Sequence, residues 1–147
     1  MMRNLSRILN QPEGLHFERK SLWHGPPEHR RPRKRSEVRD QIAEYVSAFA
    51  NADGGTLVLG VEDNGTPTGH GYPPDVIDQL LRVPEQLLRP SQPPGRRISW
   101  QQHELILFEV QPAGQAVKVL GNGFPLRVHD TVVLESEETI NADKRSD

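Results

Sequence analysis

The chain has 147 residues, the usual span of one domain, and contains no cysteine. The lack of cysteine excludes a disulfide framework, thiolate zinc sites and thiol nucleophiles. The net charge of −2 is unevenly distributed, because residues 1–40 carry +5 and residues 41–147 carry −7. No apolar run reaches the roughly 18 residues of a membrane span, and the N-terminus has no signal-like apolar segment. A soluble, cytoplasmic protein is therefore expected.

The first half of the chain predicts a strand, a loop and a helix. Residues 1–12 are expected to be a lead-in with about one helical turn. Apolar and polar side chains alternate over 15–22, which predicts a half-buried strand. Glycine, prolines and a basic run make 24–35 an exposed loop. An apolar stripe at helical spacing predicts a helix over 37–52, with Ser36 as its N-cap.

A glycine pair, Gly54-Gly55, ends this helix and begins a strand. Residues 56–62 are apolar on both faces, which favours a central strand, and Asp63-Asn64-Gly65 then forms a turn. A second helix is expected after Pro74, broken or kinked at Pro84.

The rest of the chain is predicted to be rich in strands. A hairpin signal lies at Asn122-Gly123, and 135–140 is expected to begin a third helix. Short strands are predicted over 98–101, 105–110, 116–120, 124–128 and 131–134. The order β-α-β, then α, then several strands indicates an α+β fold with a mixed β-sheet and two main helices.

Three stretches together resemble a known family. They are residues 13–22, residues 45–65 with their Ala-Phe-Ala-Asn and Gly-Gly steps, and Phe-Pro-Leu-Arg-Val at 124–128 with the strand and Ser-Glu-Glu that follow. The set is similar to the Schlafen AlbA-like domain. The resemblance implies a bacterial, nucleic-acid-binding domain over 13–140. The basic loop at 24–35 lies within this range but is not one of the family's diagnostic blocks. Residues 141–147 are expected to be a tail, either the end of a segment cut from a longer chain or a link to a further domain.

Basic residues cluster just before the main helix, a pattern typical of proteins that bind nucleic acid through its phosphates. The alternative is an exposed loop with no ligand. The predicted phosphate contacts are Arg30, Arg31, Arg33, Lys34, Arg35 and Arg39, with Arg19, Lys20 and Arg127 as secondary candidates. The patterns do not separate DNA from RNA.

Three carboxylates raise a second hypothesis. Animal Schlafen ribonucleases cleave RNA with a metal bound by three acidic residues, and the resemblance carries these onto Glu13, Glu18 and Asp63. Oxygen ligands of this kind suit Mg²⁺ or Mn²⁺, and Lys20 would contact a phosphate or a developing charge. The competing interpretation is structural: Glu18 and Lys20 pair on one strand face, and Asp63 begins a turn.

The partner expectations follow from the same resemblance. Animal Schlafen cores place two related lobes around their substrate, whereas this chain has one copy, so a homodimer is expected. A regulatory or protein-interaction module is the third hypothesis. Trp23 and Trp100 would either stack on bases or pack inside the domain, and packing is favoured.

Overall fold

The computed structural model describes residues 2–120, 124–128 and 131–135, and the side chains of residues 6–120. The helices are α1 (Met2–Asn10), α2 (Arg35–Asn51), α3 (Pro74–Leu81) and α4 (Val83–Leu87). The strands are β1 (Phe17–Lys20), β2 (Trp23–His24), β3 (Arg31–Pro32), β4 (Gly55–Leu59), β5 (Leu88–Arg89), β6 (Arg96–Trp100), β7 (His103–Val110), β8 (Lys118–Val119), β9 (Phe124–Val128) and β10 (Thr131–Glu135).

A mixed four-stranded sheet organises the fold, with the strand order β1-β4-β7-β6. β1 and β4 are parallel and are joined through α2, while β7 is antiparallel to both β4 and β6. β4 lies between β1 and β7, which confirms the prediction that it is a central strand. The remaining strands form the antiparallel pairs β2–β3, β5–β8 and β9–β10. The predicted α+β class with a mixed sheet and two main helices, α2 and α3, is confirmed.

Apolar side chains cover both faces of this sheet. Alternate residues of the central strands point to opposite faces, so each face receives its own set. On one face Leu57, Leu59, Ile106 and Phe108 join the larger core with α2, α3 and α4. On the other, Phe17, Val58, Leu105 and Leu107 pack with Leu9 of α1. The lead-in is thus a nine-residue helix that contributes to the core, longer than the single turn expected.

The helix boundaries differ from the predicted ones at two points. α2 begins at Arg35, and the residue before it is Lys34, whose side chain makes no capping hydrogen bond. Ser36 therefore lies inside the first turn, and the prediction that it is the N-cap is wrong. The break expected at Pro84 is confirmed, since α3 ends at Leu81 and Pro84 occupies the first turn of α4, where its missing N–H is tolerated.

The predicted strands of the second half are present with shifted bounds. The segment predicted at 116–120 is reduced to the two residues of β8, and the pairing of β9 with β10 matches the predictions at 124–128 and 131–134. The hairpin signal at Asn122-Gly123 lies outside the described residues. Of the helix expected over 135–140, Glu135 is instead the last residue of β10, and 136–140 lie outside the described residues.

The corner between α2 and β4 holds the main helix onto the sheet. The buried Asn51 side chain donates to the carbonyl of Val117 at 2.8 Å and accepts from its N–H at 2.7 Å. Gly54 follows with a φ of +84°, and its N–H donates to the carbonyl of Phe49. A Cβ on Gly55 would collide with the Phe49 ring, so the backbone of β4 passes directly beneath that ring.

Replacing Gly54 by alanine tests this corner. A Cβ there would lie 2.6 Å from the carbonyl oxygen of Val110, in a backbone conformation that side chains disfavour. We expect Gly54→Ala to lower the free energy of unfolding by about 2–3 kcal/mol, measured by urea denaturation. The control is Gly114→Ala, whose Cβ would meet nothing within 4 Å and which should change stability by about 0.5 kcal/mol or less. Equal losses of stability in the two variants would contradict the close packing assigned to Gly54 at this corner.

Candidate functional site: a basic surface beside a buried carboxylate

Five exposed cations lie in the stretch that runs from the residue before β3 to the second turn of α2. We call this set the basic surface; it consists of Arg30, Arg31, Lys34, Arg35 and Arg39. β2 and β3 pair antiparallel and bring the chain to the start of α2, where Arg35 and Arg39 are four residues apart and share one side of the helix. The Arg30 guanidinium lies 4.3 Å from the centre of the Trp23 ring, which orients it.

The basic surface includes the N-terminus of α2. Lys34 and Arg35 add positive charge at the end where the helix dipole is already positive, which is unfavourable for an isolated helix. The acidic residue of the first turn, Glu37, pairs with Arg33 at 3.2 Å. An anion bound at this end would be attracted by both the cations and the helix N–H groups.

Arg33 belongs to the predicted phosphate contacts but points inward. Its guanidinium donates to the carbonyl of Ser21 at 3.1 Å and to the side chain of Gln41 at 2.9 Å, in addition to the Glu37 pair. Its own carbonyl accepts the Tyr72 hydroxyl at 2.6 Å. These contacts tie the basic loop to α2 and to residue 72, so Arg33 supports the basic surface rather than forming part of it.

Arg19, a secondary candidate for phosphate binding, is 6% exposed. Its guanidinium donates to the carbonyls of Leu9 at 3.0 Å and Gln11, and lies 3.5 Å from the carbonyl of Asp63. It therefore joins α1, β1 and the turn after β4, and both terminal nitrogens of its guanidinium donate inside the domain, whereas its buried Nε has no hydrogen-bond partner among the described residues. The side chain of Arg127 lies outside the described residues.

Arg19→Met separates this structural role from phosphate binding. The substitution keeps much of the apolar stem but leaves buried carbonyls without their charged donor. We expect the free energy of unfolding to fall by about 2–4 kcal/mol, measured by urea denaturation. The control, Arg7→Met, changes an exposed arginine of α1 and should alter stability by about 0.5 kcal/mol or less. A stable Arg19→Met protein would count against the structural role.

An ion pair between a glutamate and a lysine lies on the opposite face of β1 from Arg19. Glu18 is 3% exposed, and Lys20 Nζ lies 3.1 Å from one of its oxygens, so the structural pairing expected on this strand face is present. The Lys20 ammonium also lies 5.5 Å from the centre of the Tyr45 ring of α2. Glu13 reaches the same strand, where its carboxylate accepts the N–H of Arg19 at 3.0 Å.

Glu13 and Glu18 disfavour each other's negative charge. Although Glu13 is an exposed residue, its carboxyl end is directed onto β1, and the resulting loss of hydration raises its pKa. The N–H of Arg19 opposes the increase, while Glu18 adds to it through a side-chain hydrogen bond and through charge repulsion. Partial burial lowers the pKa of Lys20, but the contacts with Glu18 and Tyr45 together outweigh it and the net pKa is raised.

A pH-dependent stability follows for Glu13. Because the pKa of Glu13 is higher in the folded state than in the unfolded chain, the folded protein binds this proton more tightly. The contribution of Glu13 to the free energy of unfolding therefore decreases as the pH rises above about 4.5. We expect the change in the free energy of unfolding caused by Glu13→Gln, measured by urea denaturation, to be more stabilising at pH 7 than at pH 4. The matched control is Glu28→Gln, which removes the same charge from the exposed 27–29 turn. An identical pH response in the two variants would argue against the Glu13–Glu18 pair.

The third predicted metal ligand does not join this pair. Asp63 is exposed in the turn after β4, and its carbonyl faces Arg19, which lies on the opposite face of β1 from Glu18. Within residues 6–120 no group of three His, Cys, Asp or Glu side chains could hold a metal ion. The three residues in this arrangement therefore do not fit a shared Mg²⁺ or Mn²⁺.

The aromatic candidates pack inside the domain. The indole N–H of Trp23 donates to the carbonyl of Thr68 at 3.0 Å, and Trp100 packs against the smaller core. Sequence reasoning missed the role of Tyr45 beside Lys20. The helical spacing indicates only that Tyr45 belongs to the apolar stripe of α2. Its contact with Lys20 depends on how the β-α-β unit packs α2 over β1, which the spacing does not show.

The fold and the corner between α2 and β4 define the class of protein. It is a small α+β domain built around a β-α-β unit, with an Asn-x-x-Gly-Gly sequence between the helix and the central strand. The chain belongs to the Schlafen AlbA_2 family, whose model matches residues 13–135. No curated protein matches the chain. None of the helices described in residues 2–120 combines the length and apolar character that a bilayer crossing requires.

Two solved structures share the fold. The crystal structure of the DIP2311 protein from Corynebacterium diphtheriae matches 99% of this chain with a TM-score of 0.73 and 17% identity, and this chain spans 32% of that protein. The solution structure of the N-terminal domain of a Nitrosomonas europaea protein, described as related to the ATP-dependent DNA helicase RecG, has a TM-score of 0.53 and 24% identity. That match covers 74% of this chain and 72% of that domain.

Proposed function

We propose that this domain binds nucleic acid, DNA or RNA, mainly through phosphates held by the basic surface. The observation that carries the proposal is the concentration of five exposed cations at one end of α2, including its positive terminus. The arrangement increases positive potential at a place where the fold alone would favour acidic side chains. Membership in the Schlafen AlbA_2 family supports the same function.

The pairing of nearby acids strengthens the proposal, because acids that are paired with cations outside the basic surface do not neutralise it. Glu18, the most buried acid near β1, is paired with Lys20 at 3.1 Å, and Glu37 is paired with Arg33. Arg39 contacts Asp40 at 3.1 Å, but both side chains are at least half exposed and such pairs contribute little. Arg39 can therefore exchange Asp40 for a phosphate at small cost.

A metal-dependent nuclease remains a second prediction, and the geometry favours it less. It requires Asp63 to join Glu13 and Glu18, and these three form no metal-holding group. Its test is EDTA-sensitive cleavage of a labelled strand that Glu18→Gln abolishes. A regulatory or protein-interaction module, and the expected homodimer, also remain predictions.

Salt dependence tests the phosphate contacts. We expect the logarithm of the affinity for a labelled DNA duplex, measured by fluorescence anisotropy, to fall linearly with the logarithm of salt concentration. Each phosphate neutralised contributes about −0.9 to that slope, so five contacts give roughly −4.5. The double variant Arg31→Ala/Lys34→Ala should bind more weakly and reduce the steepness by about 2.

The control for this experiment is Arg7→Ala/Lys118→Ala, which removes the same two charges from exposed positions outside the basic surface. We expect it to keep the wild-type slope. No binding at low salt, or a slope that is flat for the wild type, would falsify the proposal. Equal effects of the two double variants would show that net charge acts, not the basic surface.

A further inference from the structure

A groove lies beside the basic surface, between α2 and the two shorter helices. Its volume is about 530 Å³, within the range of roughly 300–1,000 Å³ that small-molecule sites occupy. Leu80 of α3 and Val83 of α4 contribute apolar side chains that are 3% exposed each. The groove is therefore apolar at its base and is formed by the packing of three helices.

Polar groups converge on the same groove from both sides. Arg35 and Arg39 line it on the α2 side, and both are members of the basic surface. Gln79 of α3 and Gln86 of α4 line the other side, and both are exposed. Among the described residues that line this groove none carries a carboxylate, so the charge of this lining is positive and continuous with the surface assigned to phosphate binding.

The chemistry of the lining selects a flat, apolar group with hydrogen-bonding edges and an attached anion. A phosphate alone would leave the apolar base unfilled, and an intact duplex keeps its bases stacked away from the protein. An unstacked nucleobase satisfies all three parts: its faces meet apolar side chains and guanidinium planes, its edges meet amides, and its phosphates meet arginines.

We propose that this groove takes a base of a single strand, so that the domain prefers single-stranded nucleic acid. This inference rests on the proposed function, because the strand is held by the basic surface and the groove adds the contact with the base. Arg35 and Arg39 contribute to both the groove and the basic surface, since they lie on the edge that the groove and the basic surface share.

Two labelled probes with the same phosphates separate the groove from the basic surface. One is a thymidine hexanucleotide, and the other is a hexamer of abasic nucleotides. We expect the thymidine strand to bind about tenfold more tightly at the same salt, with nearly the same salt slope. In methyl NMR spectra, ring currents from a bound base should shift the Leu80 and Val83 methyl signals. The abasic strand should leave those signals unchanged.

A variant adds a test of the amides. Gln79→Ala/Gln86→Ala should reduce affinity for the thymidine strand about threefold and leave abasic binding unchanged, because only a base offers edges to these amides. The matched control is Gln11→Ala/Gln115→Ala, which truncates two exposed glutamines outside the groove and should have no effect on either probe.

The outcomes distinguish this inference from the proposed function. If both probes bind equally with salt dependence and the methyl signals do not move, the groove proposal is overturned and phosphate binding stands. If neither probe binds at low salt, the proposed function fails and this inference fails with it. If the methyl signals shift with protein concentration alone, a second copy of the chain occupies the groove, and the proposal is again overturned.

Discussion

The contact between Asn51 and the backbone of Val117 is the interaction on which the arrangement of this domain most depends. It pairs a buried amide with both polar groups of a single residue 66 positions further along the chain. Such a pair leaves two buried backbone groups unsatisfied if either partner moves. It therefore fixes the end of α2 against the β8 segment just before Gly54 turns the chain into β4. The direction of α2, and with it the position of the basic surface, follows from this corner.

The parallel pairing of β1 with β4 then separates the charged residues of β1. Side chains alternate across a strand, so Arg19 enters the core beneath α1 while Glu18 and Lys20 face α2. Asp63 follows the end of β4 and contacts Arg19 through its carbonyl. Glu13, Glu18 and Asp63, the three acids of the motif, therefore do not come together as a metal-holding group within residues 6–120.

Local patterns predicted the parts of this structure that depend on local physics. The apolar stripe of α2 and the two-sided apolar strand β4 follow from periodicity, and the helix-to-strand corner follows from paired glycines. The half-buried strand predicted over 15–22 is wrong in its burial, because β1 spans only Phe17–Lys20 and is buried on both faces. The roles of Arg19 and Arg33 could not be predicted, because a cation in a basic stretch looks the same whether it meets carbonyls or solvent. The groove is invisible in sequence for a related reason: its lining comes from three helices whose packing is set by the sheet.

Lys34 and Arg35 make the electrostatic argument for function. A stable helix start favours Ser, Thr, Asp or Asn at the N-cap and acidic residues in the first turn, yet α2 begins with two cations and no side-chain cap. The one acid of that turn, Glu37, is directed to Arg33 and not to the helix end. Residues that break a local rule without a structural gain are concentrated at functional sites. An anion bound at this end would offset the repulsion between the two cations and the helix dipole, so the same feature that weakens the isolated helix would stabilise the complex.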